Sequence, residues 1–170
     1  MGRVFWGIGT LAALTISIAA PASFAGDAVK IVGFTEPVLI QPENIEILAK
    51  VDTGADHSSV DTTVWESFER DGATWVRFTL NLDGGHEKTL ERPLHRMASI
   101  MRAGAGASDR PIVILSLCVG DIAREVQVNL AKRPRLTYRM LLGASFLSGA
   151  YLVDVSKTGL TKPVCDGDQK

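Results

Sequence analysis

The segment Asp52-Thr53-Gly54-Ala55-Asp56 places an acid at the tip of an apolar run, Ile45-Glu46-Ile47-Leu48-Ala49-Lys50-Val51, with a hydroxyl and a glycine directly after it. A strand ending at Asp52 would hold that carboxylate rigidly, and Gly54 would let backbone and substrate come close. Thr53 can hydrogen-bond beneath such a loop. A carboxylate fixed in this way is suited to proton transfer with water. Two of them side by side cannot readily both ionise. The pair titrates as a unit, one acid activating water while the other hydrogen-bonds a carbonyl. The string occurs once, so a dyad of this kind needs two copies of the chain about a twofold axis.

A second element follows roughly 90 residues later: Met140-Leu141-Leu142-Gly143, then Phe146-Leu147, then Tyr151-Leu152-Val153-Asp154. With the Asp52 string, Gly33 to Glu36, Trp75-Val76-Arg77-Phe78 and Arg110-Pro111, it makes the chain resemble the retropepsin-like aspartic peptidases over residues 31–158. The nearest branch is a bacterial one commonly labelled "ATP-dependent zinc protease". The resemblance implies an all-β fold, a small closed acid-protease-like barrel with one or two short helices. It implies an aspartic-type endopeptidase acting on peptide or protein substrate as a homodimer. Asp52 would be the catalytic acid and Thr53 and Gly54 the rest of the active-site loop. Ala55, Asp56, Leu142 and Gly143 would border substrate, and a β-hairpin flap would close over the cleft. Both Asp83 to Glu87 and Met101 to Ser108 qualify as that flap. Ala144 stands where the branch usually has Arg, the residue that commonly pairs with the acid at Asp56, and His57 where Thr is usual. Asp56 is left to Arg135, Arg139 or solvent. The alternative reading is an exported binding or scaffold protein that keeps the barrel without catalysis. No metal or cofactor is expected. His86-Glu87 is followed by Leu90 rather than a second His, His57 and His95 have no ligand-like spacing, and there is no glycine-rich Lys-Ser/Thr phosphate loop.

Targeting bounds the compartment. Arg3, the apolar or small stretch Val4 to Ala20 and the small-x-small site Ser23-Phe24-Ala25 read as a signal peptide over residues 1–25. The same stretch is about long enough for an uncleaved membrane anchor. Cleavage is the expectation, giving a periplasmic or secreted protein with no stable membrane insertion. Removal leaves 145 of 170 residues, and the formal net charge of the whole chain is −1. A near-neutral chain argues against nucleic acid as a partner. One domain over residues 26–160 is expected, followed by a flexible tail over 161–170. Cys118 and Cys165 can pair in an oxidising compartment. The sequence favours Cys118 as a small buried hydrophobe and Cys165 as exposed.

The elements that must carry the acid read as short strands, from alternation, β-branched content and turn punctuation. They are Ile31 to Phe34, Val38 to Ile40, Ile45 to Val51, Thr74 to Leu80, Lys88 to Leu94, Pro111 to Val119, Arg124 to Leu130, Arg139 to Leu142 and Ala150 to Val155. Val76, Phe78 and Leu80 are expected to share one face. Asp61 to Phe68 reads as a short helix capped by Asp61, and Ser145 to Ser148 as a single helical turn. Trp65 and Trp75 are assigned to core or interface, Asp154 to a structural turn, and Arg92, Arg96, Arg110, Arg133 and Arg135 to a solvated surface.

Overall fold

The computed structural model describes residue 2 and residues 28–102, 106–132 and 137–165. Residues 1 and 3–27, with the expected signal cleavage site, residues 103–105 of the second flap candidate, Arg133, Arg135 and the last residues, 166–170, lie outside the described residues.

Eleven strands and one short helix follow in order: β1 (Lys30–Gly33), β2 (Thr35–Gln41), β3 (Ile45–Asp52), β4 (Ser58–Arg70), β5 (Ala73–Asn81), β6 (Glu87–Pro93), β7 (Arg96–Arg102), β8 (Gly106–Val119), β9 (Ile122–Ala131), β10 (Met140–Gly143), α1 (Ala144–Leu147) and β11 (Tyr151–Asp154). A 3₁₀ turn, Asp83–Gly85, joins β5 to β6. Strand neighbours run β10-β3-β2-β8-β9-β4, and β4 also pairs with β10, so six strands close into a ring. This is the all-β closed barrel the sequence implies. Closure leaves no edge on those six strands. Period-two alternation fills the interior: Ile45, Ile47, Ala49 and Val51 of β3 point inward against Val38, Leu115, Leu117 and Val128.

Two additions extend from the ring. The outer half of β4 leaves it to pair with β5, and β5 pairs with β6. Here Val76, Phe78 and Leu80 are buried together, as their alternation predicts. The expected helix over Asp61 to Phe68 is absent: these residues belong to β4. Thr62, Thr63, Val64, Trp65 and Phe68 are β-branched or aromatic and favour a pleated surface. Asp61 is no helix cap. It is a buried acid bonded by Arg139 at 2.8 Å and Asn81 at 3.0 Å. The second addition is the β7–β8 hairpin, whose first strand the sequence reading missed.

β1 and β11 form a separate parallel pair in which Ile31 faces Leu152. Its inner side packs Val32, Tyr151 and Val153 on the core. Its outer side exposes Ile31 (55%) and Leu152 (63%), flanked by Val29 and Val155.

The two cysteines are bonded, Cys118 to Cys165. This corrects the expectation of a buried thiol and an exposed one. The cause lies in residues 157–161, which hydrogen-bond to Phe34 and to Thr35 and Glu36 of β2 and so carry residue 165 to β8. The expected tail from 161 is anchored as far as Cys165. Arg110, expected on the surface, is 9% exposed, and Arg92 pairs with Glu43 at 2.7 Å rather than standing in solvent.

Tyr151 stacks on Phe146 and its hydroxyl donates to the Val119 carbonyl at 2.7 Å. Burial pushes its pKa from 10.0 up to about 12. A raised acid pKa stabilises the fold fully below the unfolded value and loses that contribution as pH rises through the folded one. Thermal melts are therefore expected to drop between about pH 10 and 12, and Tyr151→Phe should flatten that drop. An equal drop in the variant would remove Tyr151 as its cause.

Candidate active site

β3 positions the acid. Its even-numbered residues Glu46, Leu48, Lys50 and Asp52 alternate outward while the odd ones anchor the strand. Asp52, partly exposed, is the last residue of β3 and lies opposite Gly143 of β10 in a parallel register. The Gly54 N–H donates to Asp52 Oδ1 at 3.2 Å, and the Ala55 N–H to the Asp52 carbonyl at 3.3 Å. Thr53 and Gly54 are exposed at the turn.

The second sequence element forms the floor. Leu142 is fully buried and paired with Val51. The Gly143 N–H donates to Ser58 Oγ at 3.1 Å. Beyond Gly143, the first two N–H groups of α1 reach back to the acid loop, Ala144 to the Ala55 carbonyl at 2.8 Å and Ser145 to the Asp56 carbonyl at 3.0 Å. Helix N-termini leave such donors open, and here the loop carbonyls accept them. Asp52, Ala55, Asp56, Leu142 and Gly143 are thus assembled at one end of the barrel although far apart in the chain.

Gly143 is fixed by packing. A Cβ there would stand 2.5 Å from the His57 carbonyl carbon and 2.7 Å from its oxygen. Backbone cannot yield cheaply, so Gly143→Ala is expected to cost roughly 2–3 kcal/mol through overpacking and to loosen the Asp52 loop. Chemical denaturation checks this; a variant within about 0.5 kcal/mol of wild type would contradict the close approach.

Asp56 is exposed, and Ala144 offers it no side-chain partner. Arg139, one of the two arginines proposed for it, is engaged with Asp61 instead. Arg135, the other, lies outside the described residues. Asp154 is a turn acid, accepting from the Ser156 hydroxyl at 2.7 Å and its N–H at 3.0 Å. The hydroxyl first, then the N–H, hold its carboxyl below the usual range.

Both flap candidates are placed. The 3₁₀ turn lies against the outside of β3, where Asp83 accepts the Leu48 N–H at 3.2 Å. The β7–β8 hairpin instead roots beside the acid loop: Arg96 of β7 reaches His57 Nε2 at 3.4 Å and Gln127 Oε1 at 3.1 Å. Arginine only donates, so in this contact His57 Nε2 is the acceptor.

Sequence reading passed over Lys50 and Phe34. Lys50 shares the outward face of β3 with Asp52, two residues away, or roughly 7 Å along the strand. Its ammonium lies 5.0 Å from the centre of the Phe34 ring, which meets Tyr138 edge-on at 6.1 Å. The alternation that exposes Asp52 was the signal that would have found Lys50. Among the described residues no three His, Cys, Asp or Glu side chains gather as a metal site would require.

A closed barrel with an acid loop at a strand tip, laid against a Leu-Leu-Gly strand and a short helix, defines the retropepsin-like class. The chain belongs to the RimB-like family, described as "Retropepsin-like aspartic endopeptidase RimB", which matches residues 31–163. It is also similar to curated proteins named "Probable alpha-L-glutamate ligase". One from Shewanella pealeana is 34% identical over 115 residues, covering 66% of this chain and 25% of the relative. One from Desulfotalea psychrophila is 28% identical over 111 residues, 64% of this chain and 24% of the relative. The chain thus spans about a quarter of the length of these relatives. Among solved structures, a Legionella pneumophila protein of unknown function is similar with a TM-score of 0.68 and 29% identity, over 79% of this chain and all of that one.

Proposed function

We propose that the protein is an exported aspartic endopeptidase whose site forms when two copies each contribute Asp52. The observation that carries this is the Asp52 loop itself. A partly exposed carboxylate at a strand tip, fixed by the Gly54 N–H and backed by Gly143, is presented outward with no second Asp-Thr-Gly in the chain. Gly54 supports the reading. A Cβ there would meet only Asp52 Oδ1, at 3.5 Å, an ordinary contact, so the space over Gly54 is open for a substrate backbone to approach.

In the pair, one ionised Asp52 takes a proton from water, and that water attacks the peptide carbonyl. The other Asp52, protonated, gives its proton to the carbonyl oxygen as the tetrahedral diol forms. On collapse the first Asp52 passes the proton it took from water to the departing nitrogen and the second takes one back from the diol, leaving acid, amine and the starting pair. The β7–β8 hairpin, rooted on His57, is the flap that closes over this reaction and keeps bulk water out. The outer face of β1–β11 is the surface the second copy covers. Parallel strands are normally buried on both faces, and here one face exposes Ile31 and Leu152.

The substrate is a peptide with acidic side chains. Lys50 puts a cation on the face that carries Asp52, and the similar ligases are named for glutamate. The test is a cleavage assay on glutamate-rich and neutral peptides over a range of protein concentrations. Cleavage of the acidic peptide, with specific activity rising with protein concentration, supports the proposal. Cleavage of neither, or activity abolished by a chelator alone, overturns it.

A further inference from the structure

Residues 157–165 form a strap that belongs to no strand yet is bonded along its length. Near the site, the Phe34 N–H donates to the Lys157 carbonyl at 2.7 Å and the Gly159 N–H to the Thr35 carbonyl at 2.7 Å. At the far end, the Val164 N–H donates to the Gly120 carbonyl at 2.7 Å, Gln41 donates to the Cys165 carbonyl at 3.1 Å, and Cys165 is bonded to Cys118.

Between these ends lies Glu36, a carboxylate with no exposed surface. Its Oε1 accepts the N–H groups of Gly33 at 2.6 Å and Leu160 at 3.0 Å. Its Oε2 accepts the N–H and hydroxyl of Thr161, both at 2.8 Å. Three of these four donations come from the strap. If the strap lifts, Glu36 keeps only the Gly33 N–H within the protein and opens to water, so the turn from β1 into β2 loses three of the four bonds to Glu36 that tie it down and is free to move. Phe34 is in that turn. Its carbonyl accepts the Val51 N–H at 2.9 Å, directly before Asp52, and its ring carries Lys50 and Tyr138. Gly33 leaves no slack, since a Cβ there would stand 2.6 Å from the Lys157 carbonyl oxygen.

We infer that Glu36 is a positioning residue, and that the Cys118–Cys165 bond, by holding the strap on it, sets Phe34 and Lys50 beside Asp52 for peptide binding. This rests on the peptide-binding reading above and adds a redox condition to it. The dithiol form has a loose strap and a displaced subsite. Forming the bond removes two electrons and two protons from the thiols. They pass to a disulfide-bearing exchange partner, whose own bond becomes two thiols. The subsite is thereby completed in an oxidising compartment.

The experiment uses Asp52→Asn protein, oxidised or reduced with a phosphine, and reads amide hydrogen exchange and binding of a hexaglutamate peptide. Reduction should speed exchange at Gly33, Val51, Leu160 and Thr161 by about tenfold or more while Ile47 and Val128 in the barrel hold their rates. Glu36→Gln should accelerate the same amides with the disulfide intact. Peptide affinity should fall by about tenfold on reduction. Unchanged exchange at Gly33 and Val51, or equal acceleration everywhere, overturns the inference, as does equal peptide affinity in both redox states. If exchange behaves as expected but neither state binds the peptide, the strap's hold on the Phe34 turn stands and the acidic-peptide reading fails.

Discussion

Asp52→Asn is expected to lower peptide cleavage by about a thousandfold or more while leaving the thermal midpoint close to that of wild type. The side chain keeps its shape, so the Gly54 N–H retains an oxygen to bond. What disappears is the ionisable proton site. An amide neither takes a proton from water nor shares one with its twin, and positioned acid–base chemistry of this kind is worth about 10²–10⁴-fold for one group. Both members of the dyad change in a homodimer, so the loss falls at the upper end or beyond. The stability half of the expectation follows from partial exposure: among the described residues Asp52 makes no ion pair whose loss would strand a charge. Cleavage kinetics and a melting curve on the same preparation check both halves. A variant that unfolds early would show that Asp52 serves the fold, and a variant that still cleaves would move the chemistry elsewhere.

Leu152→Glu carries the second large effect. Leu152 and its register partner Ile31 stand on the outer face of β1–β11, and neither contributes to the core of its own chain. A glutamate there is well solvated in a single copy and should change monomer stability by no more than about 0.5 kcal/mol. In a twofold pair that buries this face, the glutamate of each copy is covered by the other copy. Two carboxylates would then lose hydration together without a counter-charge, a situation worth several kcal/mol against association. The pair should weaken by about a hundredfold or more. Activity should fall by a similar factor at low protein concentration and recover partly at high concentration. Sedimentation against concentration reads the first and a dilution series of activity the second. An unchanged association constant would place the second copy on another face.

The parts of this fold legible in the sequence are those where one physical signal acts alone. Alternation gave Val76, Phe78 and Leu80 a common buried face, and Asp52 its place at a strand end. Where two signals compete, tertiary context decided. Asp61 looks like a helix cap because cap residues are short and polar, but β-branched and aromatic neighbours drew it into β4, and Arg139 neutralises it inside. Arg139 was thereby unavailable to Asp56, a pairing choice no local pattern encodes. The disulfide was equally hidden, since Cys118 sits in a run apolar enough to bury a thiol and only the path of residues 157–161 along Glu36 brings Cys165 to it. Lys50 is legible in the β3 alternation, which sets it on the same outward face as Asp52, but its contact with Phe34 depends on the turn between β1 and β2, which no local pattern encodes.

The most direct measurement of the central claim is a mixing titration. Wild-type protein held at fixed concentration receives increasing Asp52→Asn protein, with time allowed for subunits to exchange. If each active site takes one Asp52 from each of two copies, mixed pairs carry a single acid and are inactive. Activity should then fall in proportion to the wild-type fraction of the total protein once association is saturated. Activity that stays constant as the variant reaches large excess would show that one copy suffices, and would contradict the shared-acid account.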